Sequence, residues 1–228
     1  MLSRIAAAVV PVLGHLTVSA DRASSPRTGR IILANHTSLA DPGVVLAGLH
    51  RMGIEPVVLA TAGLWRVPLL RGLLSSGGHI PVHRGTARAA ASLDAAAEAL
   101  AAGRDVLIYG EGRLPQRRDA AEAAPCAFRS GPARLAAATG APVVPLGQAG
   151  ARRITSGSRA KQLAGIVTAP ARRPRLHVHL GEALHLPTDV PAATTTAHEA
   201  VTVAWRTAAR RIGEPAAWNS AVSRQASP

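Results

Sequence analysis

The 228 residues are 47% hydrophobic and 17% charged, enough apolar material for one sizeable domain and too much for intrinsic disorder. Aromatic side chains make up only 2%, so the core must be packed from Ala, Val, Leu and Ile. Twenty-six basic residues against 13 acidic give a net charge of +13. All of the basic residues except Lys161 are arginines, so the surface attracts anions. The five aromatics are scattered, which argues against a stacking platform for nucleic acid and favours membrane phosphates or phosphorylated substrates as partners.

In chain order, the first feature is an apolar stretch from Ile5 to Val18, about 14 residues long and interrupted by Pro11, Gly14 and His15. It is too short to span a bilayer. The favoured reading is an amphipathic segment, residues 1–20, that lies on a membrane as an interfacial helix. The alternative is a signal peptide, with Arg4 ahead of the apolar run and Val18-Ser19-Ala20 as a small-residue cleavage site. Cys126 is the single cysteine, so no intramolecular disulfide forms and a reducing compartment is expected.

A turn-rich connector, Asp21 to Gly29, leads into a continuous apolar run at Arg30 to Ala34, the pattern of a strand covered on both faces. Similar runs recur at Glu55–Ala60, Ile80–Val82, Asp105–Tyr109 and Pro142–Leu146. Helical stretches are expected between them at Pro42–Met52, Thr86–Ala102 and Ser130–Thr139, the last two followed by glycine as a C-cap. A sixth strand at Arg175–Leu180 alternates Leu176, Val178 and Leu180 with His177 and His179, which suggests an edge. A last helix, Thr194 to Ile212, puts Ala197, Val201, Ala204 and Ala208 on one stripe. The alternation predicts an α/β fold with a mostly parallel central sheet flanked by helices. The domain is expected over residues 21–213, with 214–228 as a loose tail.

Chemistry concentrates where the first of these strands ends, at Asn35-His36-Thr37-Ser38-Leu39-Ala40-Asp41-Pro42. Within one helix, residues five apart project roughly 140° from each other, so a helix must begin between His36 and Asp41 if the two are to meet. Either Ser38 is the N-cap with Asp41 in the first turn, or Asp41 caps with Pro42 at the first helical position. In both cases the carboxylate turns back to the imidazole, holds one ring proton, and leaves the other nitrogen as a general base toward a hydroxyl. Two further strand ends carry polar residues. Tyr109-Gly110-Glu111-Gly112-Arg113 offers a flexible backbone with an acid and a cation, and Ile80-Pro81-Val82-His83-Arg84-Gly85 offers an arginine suited to bidentate phosphate binding. His177 and His179 have no cysteine or carboxylate cluster to complete a metal site, so no metal is expected, and the Arg117-Arg118, Arg152-Arg153 and Arg172-Arg173 pairs read as solvated or as facing a membrane.

In order and spacing, four segments resemble the blocks of the glycerolipid acyltransferase family that includes lysophosphatidic acid acyltransferases: NHTSLADP, IPVHRG, YGEGRLP and APVVPLG. Phe128-Arg129-Ser130-Gly131 is similar to the family's basic-Gly turn. The resemblance implies that His36 is the base and Asp41 orients it, while Arg84, Glu111, Gly112 and Arg113 bind the glycerol phosphate end of the acceptor. It implies an acyl-CoA or acyl-carrier-protein thioester as donor, a lysophospholipid as acceptor and no cofactor. The site of action is expected at the cytoplasmic face of the membrane, with an anionic surface as partner and no nucleic acid. The third block departs from the usual Phe-Pro-Glu-Gly-Thr-Arg: Gly110 replaces the proline, the threonine is missing, and Arg113 stands one position closer to Glu111. These departures fall on acceptor binding and leave another lysolipid or an amino-acid lipid open as acceptor. The reading from a different class is a catalytically silent basic protein that binds membranes or nucleic acid.

Overall fold

The computed structural model describes residues 1–21, 29–83, 89–114 and 120–214. Seven strands form one sheet in the order β1-β7-β6-β2-β5-β3-β4. The central strand is β2 (Ile31–Ala34), between β5 (Val106–Tyr109) and β6 (Val143–Ala149), all three parallel. β3 (Val57–Thr61) and β4 (Ile80–Val82) continue the parallel set on one side. On the other side β7 (Arg175–Leu180) runs antiparallel to β6 and carries β1 (His15–Ala20) parallel to itself. The fold is therefore α/β with a mostly parallel sheet.

Every residue of β2 is fully buried, because alternate side chains serve two cores. Ile32 and Ala34 join Leu107, Val144 and Val178 under α1 (Leu2–Leu13) and α2 (Asp41–Arg51). Ile31 and Leu33 join Val106, Ile108 and Val143 under α4 (Ala89–Ala101), α5 (Gly131–Thr139) and α7 (Val190–Arg211). Burying each Ile or Leu contributes about 1.5–3 kcal/mol, so this short strand is a principal source of cohesion.

Three expectations change. The expected N-terminal helix is present but shorter than the Ile5–Val18 stretch: α1 stops at Leu13, and His15–Ala20 becomes the edge strand β1. Gly14 makes the break, since a Cβ there would lie 2.7 Å from the Pro174 carbonyl oxygen where the chain enters the sheet. α1 buries Ser3, Ala6 and Val10 and leaves Ile5, Val9 and Val12 exposed. Second, β7 is not an edge but lies inside β1, which explains its buried histidines. His177 Nδ1 meets Thr17 Oγ1 at 2.7 Å, and Ser19 Oγ lies 2.9 Å from both His177 Nε2 and His179 Nδ1. Burial pulls His177 down to about 4, so it is neutral at neutral pH. Among the described residues no group of His, Cys, Asp and Glu is placed to hold a metal ion. Third, α7 begins at Val190, earlier than expected, because the Asp189 carboxylate accepts the Ala192 N–H at 2.9 Å and Pro191 follows in the first turn.

Two helices were not among those expected: α3 (Pro68–Ser76), which follows a 3₁₀ turn at Ala62–Arg66, and α6 (Arg159–Arg172). Each buries one residue only, Leu74 and Ala169 respectively. Among the described residues no helix is long and apolar enough to cross a membrane. Residues 215–228 lie outside the described part; Glu214 pairs with Arg153.

Candidate active site

Strands β2, β5 and β6 all deliver their carboxyl ends to the same edge of the sheet, the edge where open α/β sheets place ligands. β2 ends at Ala34 and the chain turns before α2 begins at Asp41, with Pro42 in the first turn. The cap residue is Ala40, which has no side-chain oxygen, so neither Ser38 nor Asp41 is the N-cap, while Asp41 stands in the first turn. The Asp41 carboxylate folds back over the turn, as expected. Oδ2 accepts the backbone N–H groups of Thr37 and Ser38, the latter at 2.8 Å, and lies 3.0 Å from His36 Nδ1. A carboxylate only accepts, so this contact requires the proton on Nδ1 and leaves the Nε2 lone pair free. Asp41 is fully buried and His36 is 15% exposed: the carboxylate is sealed and the ring can be reached.

The turn is clamped on all sides. Asn35 exchanges two hydrogen bonds with the β6 backbone, donating to the Gln148 carbonyl at 3.1 Å and accepting the Gln148 N–H at 2.8 Å. Gln148 Nε2 donates to Thr37 Oγ1, and Ser38 Oγ donates to the Thr155 carbonyl at 2.8 Å. Arg152, expected to be solvated, is 2% exposed. Its guanidinium donates to the Thr37 carbonyl and to the Ala121 carbonyl, each at 2.9 Å. Arg152 was missed because its neighbour Arg153 looks identical in sequence, and only the path of the chain after β6 decides which of them turns inward.

Behind the histidine lies the β5 corner. The Tyr109 ring packs on the His36 ring with centroids 4.5 Å apart. Its hydroxyl is buried and has no hydrogen-bond partner among the described residues. Tyr109→Phe is therefore expected to hold or raise stability, by up to about 1–3 kcal/mol, in denaturant unfolding; a clear loss would mean that the hydroxyl has a partner.

Glu111, expected among the acceptor-binding groups, faces inward at the β5 corner. It is 3% exposed, and its oxygens accept the His36 N–H at 2.5 Å and the Cys126 N–H at 3.1 Å. It thus ties the histidine backbone to the 126–129 segment. Burial pushes its carboxyl up to about 8; the His36 N–H opposes the rise and the nearby Asp41 charge adds to it. A carboxyl raised in the folded chain keeps a proton that the unfolded chain has lost, so stability falls as pH climbs from about 4.5 to about 8. His177, lowered from 6.5 to about 4, acts in the opposite sense, and its effect is complete by pH 6.5. Between pH 6.5 and 8 the wild type should lose on the order of 2 kcal/mol through Glu111, and Glu111→Gln should remove most of that loss. Parallel unfolding curves at the two pH values test this, and an identical slope in the variant would contradict it.

Gly112, at φ +68°, takes the left-handed conformation that glycine adopts without strain. Gly110 leaves space for Phe128, whose ring would be 2.5 Å from a Cβ there, so the missing proline is matched by an aromatic across the gap. Arg113 is exposed beside this corner. Arg84 lies outside the described residues.

The model of the family described as Acyltransferase matches residues 15–148, more than half of the chain. The chain belongs to the acyltransferase family. Among solved structures, PlsC from Thermotoga maritima, a 1-acyl-sn-glycerophosphate (LPA) acyltransferase, superposes on this acyltransferase-family chain with a TM-score of 0.69 at 16% identity. The alignment covers 95% of this chain and 80% of that one and shows a shared fold. A comparison with curated proteins gives no match.

Proposed function

We propose that the chain transfers a fatty acyl group from an acyl-CoA or acyl-carrier-protein thioester to the hydroxyl of a lysophosphatidate-like acceptor, in phospholipid biosynthesis at the cytoplasmic face of the membrane. The observation that carries this reading is the His36–Asp41 pair, with Nδ1 protonated toward a sealed carboxylate and Nε2 free at an accessible strand end. Nε2 takes the acceptor's hydroxyl proton as its oxygen attacks the thioester carbonyl. The tetrahedral intermediate collapses, the C–S bond breaks, and the imidazolium returns the proton to the departing sulfur. Asp41 keeps the ring in the productive tautomer and balances the transient positive charge. No acyl-enzyme is needed.

Arg113 and Arg84 are proposed to receive the acceptor's phosphate, with Gly112 letting the backbone come close. Glu111 is assigned here to holding the His36 backbone. The likeness to PlsC supports a lysophosphatidate as acceptor, and the substituted third block supports keeping other lysolipids in the assay. The test is purified protein with labelled acyl-CoA or acyl-carrier protein against a panel of lysolipids, with products read by mass. A diacylated phosphate product is expected. Absence of any acylated lipid with every donor would refute the proposal and favour the silent anion-binding protein.

A further inference from the structure

The two helices that barely pack against the body, α3 and α6, stand on opposite sides of the catalytic strand at the same edge. The 3₁₀ turn and α3 leave the sheet at Thr61, the carboxyl end of β3, and expose Leu64, Val67 and Leu69, the last by 77%. α6 begins four residues past Thr155, which is bonded to Ser38 beside the histidine, and ends just before β7 starts, at the same edge because β7 runs antiparallel to β6. It exposes Leu163, Ile166 and Val167, spaced as one helical stripe. β2 lies midway in the strand order, so His36 stands between the two ridges. The strands they flank, β3 and β7, are four spacings apart, about 19 Å.

We infer that this edge is a docking face for an anionic lipid bilayer, which the α3 and α6 ridges enter together so that His36 meets the acceptor at the headgroup level. The inference rests on the lipid-acylating reading above and adds the surface that serves it. Exposed apolar ridges of this kind mark interaction sites. Charge selects the occupant. Arg66 and Arg71 flank one ridge, Arg159 and Lys161 flank the other, and all four are exposed. Cations beside exposed apolar side chains suit anionic headgroups over acyl chains. A second copy of a chain carrying +13 would instead bring like charges together.

The experiment is co-sedimentation of the full chain with vesicles of phosphatidylglycerol and phosphatidylcholine, and with phosphatidylcholine alone. The wild type should bind the anionic vesicles more tightly. Leu64→Glu with Leu69→Glu, and separately Ile166→Glu with Val167→Glu, should each weaken binding by about tenfold or more, since each pair removes two inserting side chains. Arg66→Glu with Arg71→Glu, which leaves the apolar side chains in place, should also weaken it. Val203→Glu, exposed on α7, should leave it unchanged. Binding of the ridge variants at wild-type strength, or a wild-type dimer that they split in sedimentation velocity, would overturn the inference. Transfer to a short-chain monomeric acceptor in solution separates the two proposals. Ridge variants that keep it but lose vesicle binding support docking. A wild type that docks through the ridges yet transfers to no acceptor refutes the acyltransferase reading alone.

Discussion

His36→Ala is expected to lower kcat for acyl transfer by roughly 10²–10⁴-fold, the contribution of a positioned general base. Folding should be little changed. The bond that fixes residue 36 in place is made by its backbone N–H to Glu111, which alanine retains, and Asp41 Oδ2 keeps the N–H groups of Thr37 and Ser38 after the imidazole is gone. The loss should therefore fall in kcat with KM nearly constant, since the acceptor phosphate is proposed to be held elsewhere. A variant that unfolds, or that keeps full turnover, would contradict the assignment.

The second large effect is structural. Gly147 sits in β6 directly against α7, and a Cβ there would overlap the Ala204 carbonyl group and the Trp205 nitrogen, which are backbone atoms of a helix that cannot rotate away. Gly147→Ala should cost about 3 kcal/mol or more by forcing α7 off the sheet. The next residue, Gln148, is bonded to Asn35 and Thr37, so activity should fall with stability. Gly72→Ala is the control: it lies in α3 with nothing near its Cβ position and should gain up to about 1 kcal/mol from helix propensity. Denaturant midpoints distinguish the two, and equal effects would mean that the α7 contact is not tight.

What could be read from the sequence follows from locality. The Arg30–Ala34, Asp105–Tyr109 and Pro142–Leu146 runs declare themselves because strands buried on both faces need continuous apolar residues, and the structure turns these runs into three central strands. His36 and Asp41 could be paired because a strand end and a helix start set their relation within seven residues. β1 was hidden because its partner β7 lies some 160 positions away, and an apolar stretch near the start reads equally well as a helix or an anchor. The inward turn of Glu111 was hidden for a related reason. A carboxylate flanked by glycines looks like a ligand-binding group until the loop at Cys126 supplies the N–H that occupies it. α3 and α6 escaped because they bury almost nothing, so they carry no stripe facing a core.

An imidazole oriented by a buried carboxylate is proposed to move an acyl group from sulfur to a lipid hydroxyl. The direct measurement is the initial rate of phosphatidate formation from labelled acyl-CoA or acyl-carrier protein and lysophosphatidate, for wild type and Asp41→Asn at equal thermal stability, followed by product mass. Diacylated product is expected from the wild type and a rate at least about a hundredfold lower in the variant, because an amide presents no charge to the imidazolium. Equal rates in the two proteins, or free fatty acid in place of acylated lipid, would contradict it.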